Sequence, residues 1–340
     1  MPDHLPAGHP PVATPKIGVL LLNLGTPDAT DYWSVRRYLK EFLSDQRVIE
    51  TPRWLWWPIL NLIILSVRPQ KSGANYARIW DKRTNESPLL VITREQAQNL
   101  GQRLAGDDVV VDYAMRYGNP STASRIQALQ KAGCQKILLV PLYPQYSATT
   151  TATANDKAFE ALAKMRWQPA VRTAPAYFAE PAYIEALANS IRDGVAALDF
   201  EPDLVITSYH GMPREYLEKG DPYHCQCLKT TRLVREKLGW DESRIMVTFQ
   251  SRFGRAEWLE PYTDETLKSL PSKGIKKIAI LAPAFAADCI ETLEEIAITG
   301  QEEFMHGGGE RYAYIPCLNA TPGGMDMLEQ VVRKELQGWL

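Results

Sequence analysis

The chain has 340 residues, of which 45% are hydrophobic and 23% charged, the balance of a soluble globular protein with room for two domains. Its 38 Lys and Arg against 40 Asp and Glu give a formal net charge of -2, so there is no excess of positive charge and we expect no nucleic-acid partner. The five cysteines are scattered along the chain, which favours a reducing compartment over a disulfide framework.

The chain begins with a proline-rich stretch over residues 1–16 that has no apolar core. It has the pattern of neither a secretory signal peptide nor an arginine-rich transit peptide, so we expect a flexible tail on a cytoplasmic, bacterial protein. Residues 17–24 follow as an apolar run that predicts a buried strand, which Gly25 and Pro27 end. A helix is predicted over residues 31–43, where apolar side chains recur on one face.

An apolar, tryptophan-rich run occupies residues 54–65, with Pro58 and Asn61 inside it. It is shorter than the ~20 apolar residues that span a bilayer. Two interpretations remain open. The run is a core helix, or it is an apolar lip that dips into a membrane or grips a large flat ligand, because tryptophan favours membrane–water interfaces. The basic stretch that follows, residues 68–83, is typical of a solvated helix face, but beside such a lip it could hold the acidic ends of an amphiphile.

Apolar strands alternate with helices through the rest of the chain. Strands are predicted at residues 109–115, 136–142, 171–174, 204–208, 244–250, 277–282 and 311–316. Helices are predicted at residues 93–104, 121–131, 153–164, 181–197, 230–238, 264–270, 290–304 and 325–339. This alternation predicts an α/β fold of parallel sheets with helices on both faces.

Three short motifs of the first half recur in the same order in the second half. The paired segments are 25–27 with 211–213, 116–118 with 252–254, and 133–137 with 274–278. We interpret the repeat as a duplication that produced two similar domains facing each other across a cleft.

His210 follows the predicted strand 204–208 by two residues and precedes Gly211 and Pro213, which end the strand, so we expect it on a loop at the carboxyl end of the strand. In open parallel sheets the carboxyl ends of the strands are where ligands bind. Imidazole is also the side chain best suited to moving protons near neutral pH. The alternative is a histidine with a purely structural hydrogen bond at a strand end.

Three acids lie at the start of the predicted helix 290–304. Asp288 suits a helix N-cap, and Glu291 follows at capping-box spacing. Glu291 and Glu295 are four residues apart and so share a helix face, where they could carry protons or a cation; a cap with solvated acids is the alternative. If the two domains face each other, His210 and Glu291 stand together with Asp288 and Glu295 behind them.

Two common kinds of enzyme are excluded by what surrounds these residues. No nucleophile is flanked by a base, as a hydrolase would need. No Gly-rich dinucleotide-binding loop follows the first strand.

Several longer motifs resemble the ferrochelatase family, and together they cover nearly the whole chain from Gly18 onward. They are Met-Arg-Tyr at 115–117, Pro-Leu-Tyr-Pro-Gln-Tyr-Ser at 141–147, Ser-Tyr-His-Gly-Met-Pro at 208–213, Gly-Asp-Pro-Tyr at 220–223, Gln-Ser-Arg-Phe-Gly at 250–254, Trp-Leu-Glu-Pro at 258–261 and Asp-Cys-Ile-Glu-Thr at 288–292. The resemblance implies a lyase-type metal chelatase that inserts ferrous iron into protoporphyrin IX, the last step of heme synthesis. It also implies the type II chelatase fold, in which two Rossmann-like domains hold the porphyrin in the cleft between them.

On this basis we expect four regions. A tail over residues 1–16 precedes a first Rossmann-like domain over residues 17–160, which includes the apolar lip at 54–67. A second Rossmann-like domain with the catalytic His and Glu covers residues 161–324. A closing helix over residues 325–340 packs back on the first domain.

The resemblance also implies site residues. His210 matches the family's essential histidine, which takes pyrrole protons or meets the metal, and Glu291 matches its essential acid and a second metal contact. Asp288 and Glu295 match a polar line that carries protons or metal into the pocket. The positions that match the porphyrin pocket are Leu24, Arg116, Tyr117, Trp258 and Phe285, and those that match propionate-binding side chains are Arg68, Tyr76 and Ser87.

Some positions depart from the family pattern or refine it. Leu24 stands where members that act on coproporphyrin tend to have tyrosine, which favours protoporphyrin as the substrate. Cys289 occupies a position that is often histidine, so a histidine relay beside Glu291 is not expected. Cys225 and Cys227 are too few thiolates for a four-cysteine cluster, so we expect no iron–sulfur cluster and no prosthetic group, with Fe²⁺ as a substrate.

Two rival functions stay open at this point. A cobalt chelatase of corrin synthesis is disfavoured by the lip, since its substrates carry many carboxylates. A non-catalytic heme or porphyrin carrier needs only an axial ligand, whereas His210 stands with Glu291 and Glu295. The partners expected for the chelatase are protoporphyrin IX and Fe²⁺, with peripheral contact at the inner face of the membrane through residues 54–65.

Overall fold

The computed structural model describes residues 6–9, 15–254 and 256–340, and in these ranges two four-stranded parallel sheets form the scaffold. The predicted tail at residues 1–16 lies mostly outside the described residues; residues 6–9 form an exposed turn, and Lys16 already belongs to the first strand. The strands are β1 Lys16–Thr26, β2 Val109–Gly118, β3 Cys134–Pro141, β4 Ala170–Thr173, β5 Leu204–His210, β6 Ile245–Gln250, β7 Lys277–Leu281 and β8 Arg311–Tyr314.

The two sheets have the same strand order. The first runs β2-β1-β3-β4 and the second β6-β5-β7-β8, and all neighbouring strands are parallel. Each strand of the first sheet therefore has a counterpart four strands later, as the repeated motifs predicted. The α/β class with paired parallel sheets is confirmed.

Helices connect the strands. The α-helices of the described residues are α1 Tyr32–Leu43, α2 Arg53–Pro58, α3 Leu65–Ile79, α4 Pro88–Arg103, α5 Thr122–Lys131, α6 Thr153–Ala163, α7 Pro181–Ala196, α8 Arg214–Glu218, α9 Tyr223–Leu238, α10 Thr263–Ser269, α11 Gln301–His306 and α12 Pro322–Leu336. Wider π-helical turns occur at Ile59–Ile64, Ala148–Ala152 and Glu291–Gly300, and short 3₁₀ turns at Glu242–Arg244 and Pro271–Lys273.

The core is built on the alternation of side chains along the central strands. In β1, Val19 and Leu21 pack into a large cluster, while Leu20 and Leu22 point to the opposite face and pack against α5 and α6. The large cluster continues into the second sheet and includes side chains of α7 and α12. The two sheets therefore share one apolar core, which fixes the position of one sheet relative to the other.

The boundary predicted at residue 160 is wrong for one strand. β4 pairs in parallel with β3 and belongs to the first sheet, although the prediction placed it in the second domain. The sequence of a short strand does not show which sheet it joins, because the pairing depends on which strand lies beside it in the folded protein. The last helix, α12, begins at Pro322 behind a Thr321 cap and packs against α4 and β3 as well as α7.

The tryptophan-rich run is helical, and its two sides differ. It consists of α2, the π-turn Ile59–Ile64 and the start of α3. Leu60 and Leu65 are fully buried, and the Trp56 indole Nε1 donates to the Leu43 carbonyl at 2.7 Å. Trp54 and Leu62, by contrast, are 78% and 74% exposed. One side of the segment is therefore core, and the other is an exposed apolar surface, whose contact with a membrane or a ligand stays a prediction. Among the described residues, no helix has the length and apolar character to cross a bilayer.

Candidate active site between the two domains

The end of β1 and the loop after β7 meet in a small pocket between the domains. The residues that line it include Gly25, Thr26, Tyr38, Tyr76, Ser87, Cys289 and Glu291. Gly25 has a φ of 110°, and a Cβ there would lie 1.8 Å from the Tyr117 carbonyl oxygen, so the close approach of β1 to β2 requires glycine. Hydroxyl groups of the first domain thus face a carboxylate of the second.

His210 lies at the carboxyl end of β5, as predicted, but it is the last residue of the strand and not part of the following loop, and it is half-buried. Its Nδ1 lies 2.6 Å from the Gly211 carbonyl oxygen. A carbonyl oxygen can only accept, so Nδ1 carries the hydrogen and Nε2 is left as the basic nitrogen of the neutral ring. The Gly211 N–H in turn donates to the Gln250 carbonyl at 2.7 Å, and a Cβ on Gly211 would meet the same oxygen at 2.7 Å. This contact holds the imidazole at the strand end.

Glu291 begins the helix after β7, but the first ten residues of that helix are π-helical where an α-helix over residues 290–304 was predicted. The charge of the Glu291 carboxylate affects the pKa values of three buried tyrosine side chains of the first domain. Burial chiefly, and the charge of Glu291 in addition, raises the pKa of Tyr38, Tyr76 and Tyr143. These phenols therefore stay protonated at neutral pH and are available as hydrogen-bond donors. The Tyr143 hydroxyl is buried and has no hydrogen-bond partner in the described structure.

Glu295 is clamped by Ser251, which follows β6. The Ser251 N–H and Oγ donate to its two oxygens at 2.7 and 2.6 Å, and Ser251 has a φ of 66° that aims both groups at the carboxylate. Burial raises the pKa of Glu295, against the opposing effects of the Ser251 bonds and the charge of His210. The charge of Glu291 raises it further. Gln250 pairs with His210 in the sheet and donates from Nε2 to the Glu291 carbonyl at 2.8 Å, and the next residue, Ser251, holds Glu295, so His210, Glu291 and Glu295 lie around the end of β6.

Asp288 does not cap the helix as predicted. Its buried carboxylate accepts from Thr292 Oγ1 at 2.9 Å, the Tyr314 hydroxyl at 2.5 Å and Asn319 Nδ2 at 2.7 Å. Both of its oxygens are thus occupied by side chains that fold the loop after β7 onto β8. The sequence spacing fits a capping box, and it gives no information about donors that are distant in the sequence. A cap was therefore the natural prediction.

Leu24 and Phe285 come together from the two domains. They pack in one apolar cluster with Leu89, Ile92 and Cys289. Burial raises the pKa of the Cys289 thiol well above its usual range, so it is a neutral apolar neighbour of Glu291. Trp258 is buried beside the His210 loop: its ring would lie 3.1 Å from a Cβ on Gly211, and Phe253 packs against it at 5.0 Å between ring centroids.

Arg116 and Tyr117 lie at the base of the lip. Arg116 makes a largely buried ion pair with Asp45 at 2.5 Å and donates to Thr153 Oγ1 at 2.7 Å. The Tyr117 side chain is fully buried, and its hydroxyl donates to Asp45 at 2.8 Å. The sequence analysis missed Asp45, whose only signal was an acid just after a predicted helix.

The three residues expected to hold propionates are not all in one place. Tyr76 and Ser87 line the pocket with Glu291, and Ser87 also caps α4 by accepting from the Leu90 N–H at 3.3 Å. Arg68 is exposed on α3, and its guanidinium lies 5.7 Å from the centroid of the Phe253 ring in the second domain. No acidic side chain of the described residues forms an ion pair with Arg68. Its charge is therefore not neutralised by an acidic side chain of those residues.

Metal-ligating side chains do not form a closed cage. Among the described residues, no group of three or more His, Cys, Asp or Glu side chains is arranged to hold a metal ion. Cys225 is exposed and Cys227 is buried. Of the groups that could meet a metal, the carboxylate of Glu291 lines the pocket, whereas the imidazole of His210 lies at the end of β5 and is not among the lining residues.

Solved structures of similar shape define the class of protein. SirB from Bacillus subtilis with Fe³⁺ matches 95% of this chain and 97% of its own length with a TM-score of 0.57 at 11% identity. CbiX, the terminal enzyme for biosynthesis of siroheme in denitrifying bacteria, matches 94% of this chain and 100% of its own length with a TM-score of 0.51 at 12% identity. At these identities the likeness shows the fold alone, which is the type II chelatase fold.

Sequence comparison then gives the family. The family model for ferrochelatase matches residues 16–336. Curated ferrochelatases from Allorhizobium ampelinum and Rhizobium meliloti are each 61% identical to this chain, over 339 and 333 residues, and each match covers at least 98% of both chains. The chain belongs to the ferrochelatase family, as its motifs indicated.

Proposed function

We propose that the protein inserts ferrous iron into protoporphyrin IX in the pocket between its domains, with release of two protons, as the terminal step of heme synthesis. The observation that supports the proposal is that His210, Glu291 and Glu295 lie around Gln250 and Ser251 at the end of β6, near the apolar cluster of Leu24 and Phe285. One imidazole and two carboxylates serve proton removal and iron transfer, and the apolar side chains suit a flat macrocycle.

The reaction exchanges two pyrrole N–H protons for one Fe²⁺ ion. The porphyrin ring is flat and stiff, so binding energy from its periphery is used to bend it until the nitrogen lone pairs point out of plane. His210 Nε2 is the basic nitrogen at the strand end and accepts a pyrrole proton. Glu291 stands beside it, and Glu295 passes protons or iron onward.

Iron is a substrate that must leave with the product, so the site must bind it without holding it. Imidazole and carboxylate ligands bind Fe²⁺ less tenaciously than a set of thiolates would. His210 and Glu291 supply these two ligand types. The buried Cys289 thiol is neutral and packed among apolar side chains, so it does not compete for the metal.

Side chains around the pocket recognise the porphyrin. Leu24, Phe285 and Trp258 offer apolar surface, and a leucine at position 24, where members that act on coproporphyrin tend to have tyrosine, favours protoporphyrin. Tyr76 and Ser87 offer hydroxyls, and Arg68 a free cation, for the propionates. Arg116 and Tyr117 support porphyrin binding indirectly, because their bonds to Asp45 stabilise the base of the lip.

The lip is proposed to contact the inner face of the membrane from the cytoplasm. Its exposed side carries Trp54, Leu55, Trp57, Leu62, Ile63 and Val67. Single exposed apolar residues need no explanation, but a contiguous patch of this kind is typical of an interaction site. Arg53 and Lys71 lie near it in the chain and are exposed, which suits anionic headgroups.

An insertion assay tests the function. We expect Fe²⁺ insertion with protoporphyrin IX, less with coproporphyrin, and none of cobalt into a corrin precursor. His210→Ala should abolish insertion while porphyrin binding, followed by fluorescence, stays near the wild-type value. His306→Ala is the matched control, since His306 is exposed on α11 and remote from the pocket. Porphyrin binding without turnover in the wild-type protein would favour a carrier, and full activity of His210→Ala would refute the proposed base.

A further inference from the structure

Glu294 is a buried acid on the same π-helix as Glu291 and Glu295, yet it points away from them toward the first domain. Its side chain is 9% exposed, and its Oε1 accepts from the Arg78 guanidinium of α3 at 2.7 Å. Asn75, also on α3, lies with its Nδ2 3.3 Å from Oε2. A buried carboxylate requires this kind of pairing, because an unpaired charge in the interior is costly.

A further bond to Glu294 depends on the π-helical form. Thr299 Oγ1 donates to its Oε1 at 3.2 Å, from five residues further along the helix. In a π-helix the backbone bonds join residues five apart, so side chains at that spacing lie near each other. In an α-helix the same two positions would be about 140° apart around the axis. The Glu294–Thr299 contact is therefore compatible with the π-helix and not with its α-helical alternative.

The helix α3, which carries Arg78 and Asn75, also contacts the pocket. α3 starts inside the lip at Leu65, carries Tyr76 into the pocket with Glu291, and reaches Glu294 through Arg78. The Arg78–Glu294 pair thus joins the helix that follows the lip to the helix that presents Glu291 and Glu295.

We propose that Glu294 is a positioning residue for iron insertion: through Arg78 and Thr299 it keeps residues 291–300 in the π-helical form and so places Glu291 and Glu295 against the pocket. The inference rests on the proposed function of that site. Glu294 does not touch the substrate; it acts through the backbone of the helix to which the two acids belong.

The chain offers a matched control. Arg78 also pairs with Glu302 at 3.0 Å, but that carboxylate is 57% exposed and lies on α11 beyond the π-helix. Glu294→Gln and Glu302→Gln each remove one acid from the same guanidinium. Each change also keeps the side-chain size, and Arg78 retains one acidic partner in either case.

The test compares kcat, porphyrin KM and backbone exchange at a temperature where all variants are folded. Misplacement of reacting groups by ~1 Å can cost about 100-fold, so Glu294→Gln should lower kcat by about tenfold or more with little change in KM. Amide hydrogen exchange should become faster within residues 291–300. Glu302→Gln should stay within about twofold of the wild-type kcat, as is usual for an exposed pair.

The variant Arg78→Gln provides a second, independent test of the proposal. If Arg78 and Glu294 act as one unit, the double variant should lose no more activity than the more damaged single variant, since contacting residues are not additive. Wild-type kcat in Glu294→Gln, or a loss of kcat without faster exchange in residues 291–300, would overturn the inference. An inactive wild-type protein would instead count against the proposed function.

Discussion

At the residue scale, three neighbouring acids have three different environments. Asp288 is saturated by donors from β8 and its following loop. Glu295 is held by both donors of Ser251, and burial raises its pKa. Glu291 is half-buried and faces the pocket and its phenols. We therefore propose that the three carboxylates serve as anchor, second carrier and first carrier, although they are the same chemical group.

The two carriers can be separated by amide substitution. Glu291→Gln should lower kcat severely, because Glu291 lines the pocket, while Glu295→Gln should lower it less. A glutamine keeps the size and hydrogen bonding of the acid but carries neither proton nor charge. The measurement is kcat for iron insertion as a function of pH and iron concentration, with higher iron relieving part of the Glu295→Gln loss.

The pH profile has a defined sign. Because the pKa of Glu295 is raised, its carboxylate becomes protonated at a higher pH than an ordinary glutamate. Wild-type activity that needs the ionised form should fall as the pH drops through this raised pKa, and Glu295→Gln should lack that part of the acid limb. A greater loss in Glu295→Gln than in Glu291→Gln would reverse the proposed order.

At the element scale, the lip is one helical segment with two different sides. Leu60, Leu65 and the indole of Trp56 attach it to α1 and to the buried base formed by Tyr117. The residues on its other side are exposed and apolar. The attached side therefore fixes the position of the exposed side relative to α1. Substitutions at Trp56 or Leu60 would therefore test the core, whereas Trp54 and Leu62 test the surface.

The lip prediction uses that surface. Each large apolar side chain transferred from water contributes about 1.5–3 kcal/mol, so Trp54→Ser with Leu62→Ser should weaken binding to anionic phospholipid vesicles by about tenfold or more. Sedimentation with vesicles measures the change, and porphyrin KM shows whether the ligand uses the same surface. Trp167→Ser, which removes a half-exposed tryptophan elsewhere, is the control. Unchanged vesicle binding and unchanged KM in the double variant would contradict both uses of the lip.

At the scale of the whole molecule, polar contacts align the two sheets across their shared core. Asp221, between α8 and α9, accepts from Ser147 Oγ at 3.0 Å and from the Ala148 N–H at 2.8 Å at the start of a π-turn in the first domain. On the other side, Gln96 of α4 donates to the Ala286 carbonyl at 3.0 Å. Each contact joins a loop at the pocket to the opposite domain.

Asp221 should therefore contribute to stability. Hydrogen bonds to a charged group contribute about 1.5–3 kcal/mol, and Asp221→Ala should lower the free energy of unfolding by about that amount. Urea denaturation followed by fluorescence measures it. Lys219→Ala, which removes an exposed ion pair with Glu50 across the same boundary, should have a smaller effect. Equal effects of the two variants would contradict a special contribution from Asp221.

The sequence by itself determined the α/β class, the strand ends and the duplication. Buried strands of a parallel sheet are continuous apolar runs, and Gly or Pro marks their ends, so this information is local. For the same reason His210 and Glu291 could be placed near strand ends, and the repeat predicted that the two strand ends face one cleft. The ferrochelatase motifs added the chemistry to these positions.

Only the tertiary structure decided the rest, because it depends on partners that are distant in the sequence. The sheet that β4 joins, the side of the lip that faces inward and the donors that occupy Asp288 each require a neighbour brought close by folding. The clearest case is the helix at residues 291–300, whose sequence predicts an ordinary α-helix. Its π-helical form is accompanied by a bond between Glu294 and Arg78, two residues separated by 216 positions.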